Sequence, residues 1–317
     1  MIQRLLNDTH KRAQHNDNNI IINVSFHNGK PVVVRRKCTC ILIYQSLIKN
    51  IANMLFGDFN EPILWLVFEE LGKVPSDVVV AGTNIAFSAF AALTEGGRVV
   101  TWGAGDGMDS SRVADELASG VVRVVATASA FAAVTEVGRV VTWGHVGQGG
   151  DSSSVERELA SGVVEVVATE FAFAAVTEVG QVVTWGFAWW GGDSSGVDKK
   201  LANGVVRVVA TGGAFAALKE DGQVVTWGFA EYGGDSSEVA EELTNGVVRV
   251  VATRWAFAAL KEGGRVVTWG RAEWGGNSRA VADKLVCDVV DVKAISKQKF
   301  SAIKEDGSVV EWGGDLI

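Results

Sequence analysis

The chain is poor in the residues on which most protein chemistry depends: among its 317 residues are 3 cysteines, 3 prolines, 4 histidines and 2 tyrosines. Cys38, Cys40 and Cys287 form an odd, sparse set with no pair of Cys-x-x-Cys motifs, so neither a disulfide framework nor a zinc site is expected. Such a set suits a reducing compartment, and Cys287 reads as a packing residue. Of the histidines, only His145 lies beyond residue 75, and none accompanies a plausible nucleophile. A catalytic triad is therefore not expected, His145 reads as a loop residue, and the chain reads as non-enzymatic, with no cofactor and no metal. The glycine-rich stretch Thr101-Trp102-Gly103-Ala104-Gly105-Asp106-Gly107 is not followed by Lys-Ser or Lys-Thr, which removes a phosphate loop.

Two further absences bound the location. Met1 to Leu6 is followed at once by Asn7, Asp8, His10, Lys11 and Arg12, so no signal-peptide core forms. No apolar run reaches the roughly 18 residues of a membrane span. Cytoplasm or nucleus is the expected site, with no membrane partner. Basic charge is also scarce where it would matter. Residues 1–74 hold 9 Lys and Arg against 6 Asp and Glu, which leaves 20 against 31, a formal −11, for residues 75–317. An acidic body lacks the basic footprint that grips phosphate backbones, so no direct nucleic-acid binding is expected; a basic protein partner is compatible.

What is present is repetition. Trp-Gly pairs stand at Trp102, Trp143, Trp185, Trp227, Trp269 and Trp312, in steps of 41, 42, 42, 42 and 43 residues. Phe90, Phe131, Phe173, Phe215, Phe257 and Phe300 step identically, and so do Gly97, Gly138, Gly180, Gly222, Gly264 and Gly307. A period near 42 with a glycine turn and a Trp-Gly strand end lies in the range of propeller blades. All three prolines, Pro31, Pro62 and Pro75, precede residue 76, which puts a boundary near Pro75.

The fourth copy serves for all. Val205 to Thr211 is a β-branched run, Ala214 to Lys219 a second strand of small residues, and Gln223 to Trp227 a third. Glu220-Asp221-Gly222 is the hairpin turn between the last two, with Gly222 expected at positive φ. A glycine-broken loop from Phe229 to Ser236 leads to Ser237–Leu243, which reads as a two-turn helix with Val239 and Leu243 on its buried face and a Ser or Asp capping its start. One such unit exposes both faces of a small sheet and cannot stand alone, so neighbours must stack. The expected fold is all-β: a β-propeller of about six repeats over residues 76–317, each of three strands plus a short helix, with an incomplete ring or a seventh blade position left open.

Ahead of it, residues 1–19 read as a mobile polar tail and residues 20–75 as a small α+β segment. Within that segment, Ile20–Phe26 and Pro31–Val34 flank His27-Asn28-Gly29-Lys30, an Asn-Gly hairpin signal; a helix over Cys40–Phe56 and a strand over Ile63–Phe68 follow. This order resembles the first half of a ubiquitin-like domain; an irregular cap or an extra blade is the alternative.

The run Asp221-Gly222-Gln223-Val224-Val225-Thr226-Trp227-Gly228, followed by Tyr232-Gly233-Gly234, resembles the repeat of the regulator of chromosome condensation family. The short three-stranded form is most similar to the bacterial β-lactamase-inhibitor propeller of that superfamily, and to protist arrays related to giant HECT-type ubiquitin ligases. The resemblance implies a propeller that binds proteins. It also raises small GTPases or the ubiquitin machinery as partners, with a regulatory module in nucleotide exchange or ubiquitin ligation as the alternative function. Departures qualify it. The family usually has seven blades, and its second-strand histidine is replaced by Ala89, Ala130, Ala172, Ala214 and Ala256. No repeat carries the long insertion of the nucleotide-exchange members, the Gly-Trp-Arg-His-Thr signature of plant ultraviolet-B receptors is missing, and no HECT-type domain is expected to follow.

Gly-Gly-Asp-Ser at 149–152, 191–194 and 233–236 invites a calcium reading. One Asp per repeat does not gather the 6–8 oxygens Ca²⁺ needs, so Asp151, Asp193 and Asp235 are expected to serve turns. Function is sought in what varies between copies. After the Trp-Gly pair the loops carry Gln148, Trp190, Tyr232 and Trp274, preceded by Gly147, Trp189, Glu231 and Glu273; after the first strand come Ala128-Ser129, Glu170-Phe171, Gly212-Gly213 and Arg254-Trp255. Loop aromatics beside arginine are the residue types of interface hot spots. Phe171, Trp189, Trp190, Tyr232, Arg254, Trp255, Arg271 and Trp274 are therefore candidate partner-binding residues, the alternative being that the aromatics pack beneath the loops.

Overall fold

The computed structural model describes residues 26–27, 30–31, 77–81, 89–103 and 109–314. In the N-terminal part, strands Phe26–His27 and Lys30–Pro31 pair antiparallel across Asn28-Gly29, where the hairpin is expected. The helix, the later strand and the ubiquitin-like reading lie outside the described residues.

From Asp77 onward, six three-stranded antiparallel sheets follow one another, each built from three consecutive strands with the second in the middle. This is a β-propeller of six blades, as the period implies. In blade 4 the strands are Val205–Ala210, Ala214–Lys219 and Val224–Gly228. Register places Phe215 directly opposite Trp227, and their rings stack at 5.2 Å. The corresponding Phe–Trp pair stacks in all six blades.

The second strand explains why the blades must associate. Ala214, Phe215, Ala216, Ala217 and Leu218 are all buried, whereas a strand with one wet face would alternate. Odd and even positions face opposite neighbours. Ala172 and Ala174 of blade 3 pack with Phe215, Ala217 and Trp227 of blade 4, while Ala214 and Ala216 pack with Phe257, Ala259 and Trp269 of blade 5. Alanine on one side and Phe and Trp on the other make the faces complementary in volume, which close packing rewards. Five such shared clusters link the six blades in series.

Two further contacts bind neighbours. The Trp227 indole N–H donates to Gly191 O of the preceding blade at 3.0 Å, and Trp185, Trp269 and Trp312 repeat the bond. Gly222 has φ +75°, and a Cβ there would sit 2.6 Å from Gly246 N where the next blade begins. Conformation and close approach both demand glycine at that turn.

The sixth blade is different. Where blade 5 turns Ala256, Ala258 and Thr268 toward its successor, blade 6 has Lys299, Ser301 and Glu311, and Val309 is 57% exposed. The outer face of blade 6 is thus more polar than the faces that join the blades before it. Among the described residues no apolar cluster joins blade 6 to blade 1.

The helix is a correction in kind. Ser237–Leu243 is a 3₁₀ helix, and its counterparts are 3₁₀ turns at Ser111–Val113, Ser153–Val155 and Arg279–Lys284 and a single α-turn at Asp198–Leu201. The anchor is the leucine, buried as Leu243, with Val239 beside it. A segment this short gains nothing from α-helical cooperativity, so the tighter turn prevails. Its first N–H is satisfied by Asp235 Oδ1 (2.9 Å to Ser237 N), while Ser236 Oγ bonds Thr226 Oγ1 at 2.9 Å.

Candidate functional site

At one end of the blades the loops between first and second strands lie side by side. Ala128 N–H donates to Glu170 O (2.8 Å), Glu170 N–H to Gly212 O (2.8 Å), Gly212 N–H to Arg254 O (2.6 Å) and Arg254 N–H to Lys297 O (3.0 Å). Equivalent residues of successive blades thus become backbone neighbours, and variation from copy to copy is displayed as one continuous row.

A buried threonine ties each of these loops to the glycine-broken loop of its own blade. Thr211 Oγ1 accepts the Ala214 N–H at 3.0 Å and reaches Ala214 O (3.2 Å) and Tyr232 O (3.0 Å). Thr127, Thr169 and Thr253 make the same contacts to Gln148, Trp190 and Trp274. The aromatic positions sit at the ends of short 3₁₀ turns, Ala188–Trp190, Ala230–Tyr232 and Ala272–Trp274, each closed by a glycine at positive φ.

In blades 3 to 5 this scaffold brings the candidate residues together. Phe171 meets Trp190 edge-on at 4.6 Å, Trp190 meets Tyr232 at 5.7 Å, Tyr232 stacks on Trp255 at 4.8 Å, and Trp255 lies 4.0 Å from Trp274. Phe229 joins between Trp190 (6.0 Å) and Tyr232 (4.8 Å). The Arg254 and Arg271 guanidiniums lie 5.5 and 4.8 Å from the Trp255 ring centroid, within cation–π range. Arg254 is also held by Glu170, and Arg271 by Glu273 at 3.4 Å. The aromatic rings of the ladder and the two arginines are half-buried, so the ladder is both packed and partly accessible, while Glu273 is exposed.

Seven of the eight candidates belong to this ladder. The eighth, Trp189, points away from it and is 73% exposed; Phe187 nearby is 46% exposed. Trp189, Ala188 and Asp193 form one wall of a shallow open groove whose other wall is Gly228, Phe229 and Ala230. Phe187 and Phe229, which follow the Trp-Gly pair directly, are not among the sequence candidates, and Gly212-Gly213 figures there only as a variable pair without a role. A Cβ on Gly213 would lie 2.8 Å from Trp190 and 2.9 Å from Tyr232, and one on Gly212 3.1 Å from Glu170 Oε1. The missing side chains of blade 4 are what let Trp190 of blade 3, Tyr232 of blade 4 and Trp255 of blade 5 close up. The change from paired large residues to Gly-Gly between copies was the available signal.

The remaining candidates for chemistry are turn residues. Asp151, Asp193 and Asp235 accept the N–H two residues on at 2.9 Å, and Asn277 accepts from Arg279 at 3.0 Å. Backbone and side-chain hydrogen bonds from Ser153, Ser195 and Ser237 hold the three carboxyls below the usual carboxylate range. Among the described residues no group of His, Cys, Asp and Glu could hold a metal ion. Cys287 corrects an expectation. It is exposed, not packed, and its thiol donates to Asp288 Oδ2 (2.9 Å), which pushes its pKa up. Asp288 takes the positive-φ position that glycine fills in blades 2 to 5, with φ 64°.

No protein-family model and no curated protein matches this chain. Solved structures do. Prp20p from Saccharomyces cerevisiae, described with its binding to Gsp1p and histones, is 18% identical over 75% of this chain and 71% of its own, with a TM-score of 0.43. Human WBSCR16 is 18% identical over 75% and 74%, with a TM-score of 0.42. The ectodomain of the Physcomitrella patens receptor kinase CR4 is 14% identical, with a TM-score of 0.43; this chain covers 63% of its length. The propeller assignment rests on the strand pairing and blade packing above. Among the described residues no helix is long and apolar enough to cross a membrane.

Proposed function

We propose that the protein is a non-enzymatic scaffold that binds another protein through the loop face of blades 3 to 5. The observation that carries this reading is the aromatic ladder from Phe171 to Trp274 with Trp189 standing free beside it. A solvent-exposed tryptophan at 73% exposure has no packing role, and pre-ordered aromatics lose little conformational entropy when a partner covers them. Blade 2 shares the scaffold but not the surface: Ser129 and Gln148 stand where blade 3 has Phe171 and Trp190.

Replacing Trp189 by a photo-crosslinking phenylalanine derivative tests it. Adducts should form with a defined protein and be lost when the same probe stands at exposed Val137 on the opposite hairpin turn, 72% exposed. Acceleration of nucleotide release from a small GTPase by the purified protein would instead favour the exchange-factor reading over a simple scaffold.

A further inference from the structure

We infer that the groove between Trp189 and Phe229 takes a basic segment of the partner, with a lysine or arginine side chain laid against the Trp189 indole. This inference rests on the loop-face reading above and adds the chemistry of what binds.

The first observation is internal. The ladder already contains an arginine-binding tryptophan: the Trp255 ring has the guanidiniums of Arg254 and Arg271 at 5.5 and 4.8 Å. Those two cations are supplied by the chain and neutralised by Glu170 and Glu273. Trp189 lies on the same row of loops, at the position that is Glu231 in blade 4 and Glu273 in blade 5, and among the described residues no arginine or lysine lies over its ring. Its indole face is open to solvent, and an aromatic face attracts a cation at close range.

Charge supplies the second observation. Among the described residues, Asp193 is the one ionisable group that lines the groove. Its Oδ1 is engaged by the Ser195 N–H. On the same loops of blades 2 to 5 the exposed residues Asp151, Glu231, Asp235 and Glu273 are acidic, Arg271 is already committed to Glu273 and Trp255, and the exposed lysines of blade 3, Lys199 and Lys200, lie on the following turn and do not line the groove. The whole body from residue 75 onward is −11. An acidic or phosphorylated partner would meet like charge at Asp193 and on a body of net negative charge, and an uncharged apolar segment would leave Asp193 desolvated without a counter-ion. A basic segment satisfies both the aromatic wall and the carboxylates.

Selection from a random displayed-peptide library on the full chain, with Trp189→Ala as counter-selection, tests the idea without presupposing the partner. The expected result is enrichment of Lys- and Arg-containing peptides that need Trp189. Their affinity should fall about tenfold in Trp189→Ala and several-fold in Asp193→Asn, and should weaken as salt rises. Because Asn277 makes the same turn bond in blade 5, Asp193→Asn removes charge and keeps the loop. Enriched peptides that need Trp189 but are acidic or uncharged would overturn this inference and leave the loop-face reading intact. Enrichment that ignores Trp189, with an unchanged melting temperature in Trp189→Ala, would overturn both.

Discussion

Arg254 reaches across Gly212 to Glu170, 84 positions earlier and two blades away, and donates from Nε and Nη2 to a single carboxylate oxygen at 3.1 and 2.8 Å. The pair spans blade 4 because blade 4 has no side chain at that point. Glu170 and Arg254 are also neighbours of Gly212 in the backbone row, so the bridge braces three blades at the base of the aromatic ladder.

The bridge is partly shielded, with side-chain exposures of 31% and 19%. A double-mutant cycle of Glu170→Gln and Arg254→Met, followed by urea unfolding, should give a coupling of roughly 1 kcal/mol that shrinks as salt is raised.

Gly213→Ala should cost about 1–3 kcal/mol, because the new methyl meets Trp190 and Tyr232 at sub-van der Waals distances. Near-UV circular dichroism should change with it as the aromatic pair separates. Gly196→Ala, which meets nothing within 4 Å and has an ordinary φ, should be neutral or slightly stabilising.

Thr211→Val keeps shape but leaves the Ala214 N–H and Tyr232 O without their partner. Thr211 is only 4% exposed, so the loss should be on the order of 1–3 kcal/mol in thermal or chemical unfolding, with loosened loops in amide exchange.

The two classes of aromatic residue should separate cleanly. Phe215→Ala removes a fully buried ring and should cost about 3–5 kcal/mol, whereas Trp189→Ala should stay within about 0.5 kcal/mol of the parent. Trp255→Ala belongs with the first class: it removes the stacking partner of Tyr232 and the platform for two arginines, so a measurable drop in melting temperature is expected.

Acid should weaken the loops. Asp151, Asp193 and Asp235 have folded pKa values below their ordinary range, so their contribution is present above the unfolded carboxyl value and is lost as pH falls through the folded one. The three are largely solvent-screened, so the effect is small. Replacing all three by Asn, the residue blade 5 already uses at position 277, should retain the turns and flatten the acid limb of a stability-against-pH curve.

The repeating part of the fold was legible because packing demands recur at fixed intervals. Gly222 must be glycine for its φ and its neighbour's backbone, Phe215 and Trp227 must stack, and each requirement prints itself every 42 or so residues. The helix type was less legible: the four-residue spacing of Val239 and Leu243 reads as α, but a segment this short does not gain α-helical cooperativity. The candidate residues were legible as positions that break the repeat.

By itself, then, the sequence determined the blade, its three strands, its turns and the list of residues free to vary, because those follow from local conformation and from the period of the apolar pattern. Only the tertiary structure decided how the variable residues meet. Trp189 and Trp190 are adjacent in the chain, yet one is exposed and the other wedged between Phe171 and Tyr232. Arg254 finds Glu170 because the alanine-faced second strands let blades approach until equivalent loops hydrogen-bond. Distance between blades is a property of their packed faces, and no spacing along the chain encodes it.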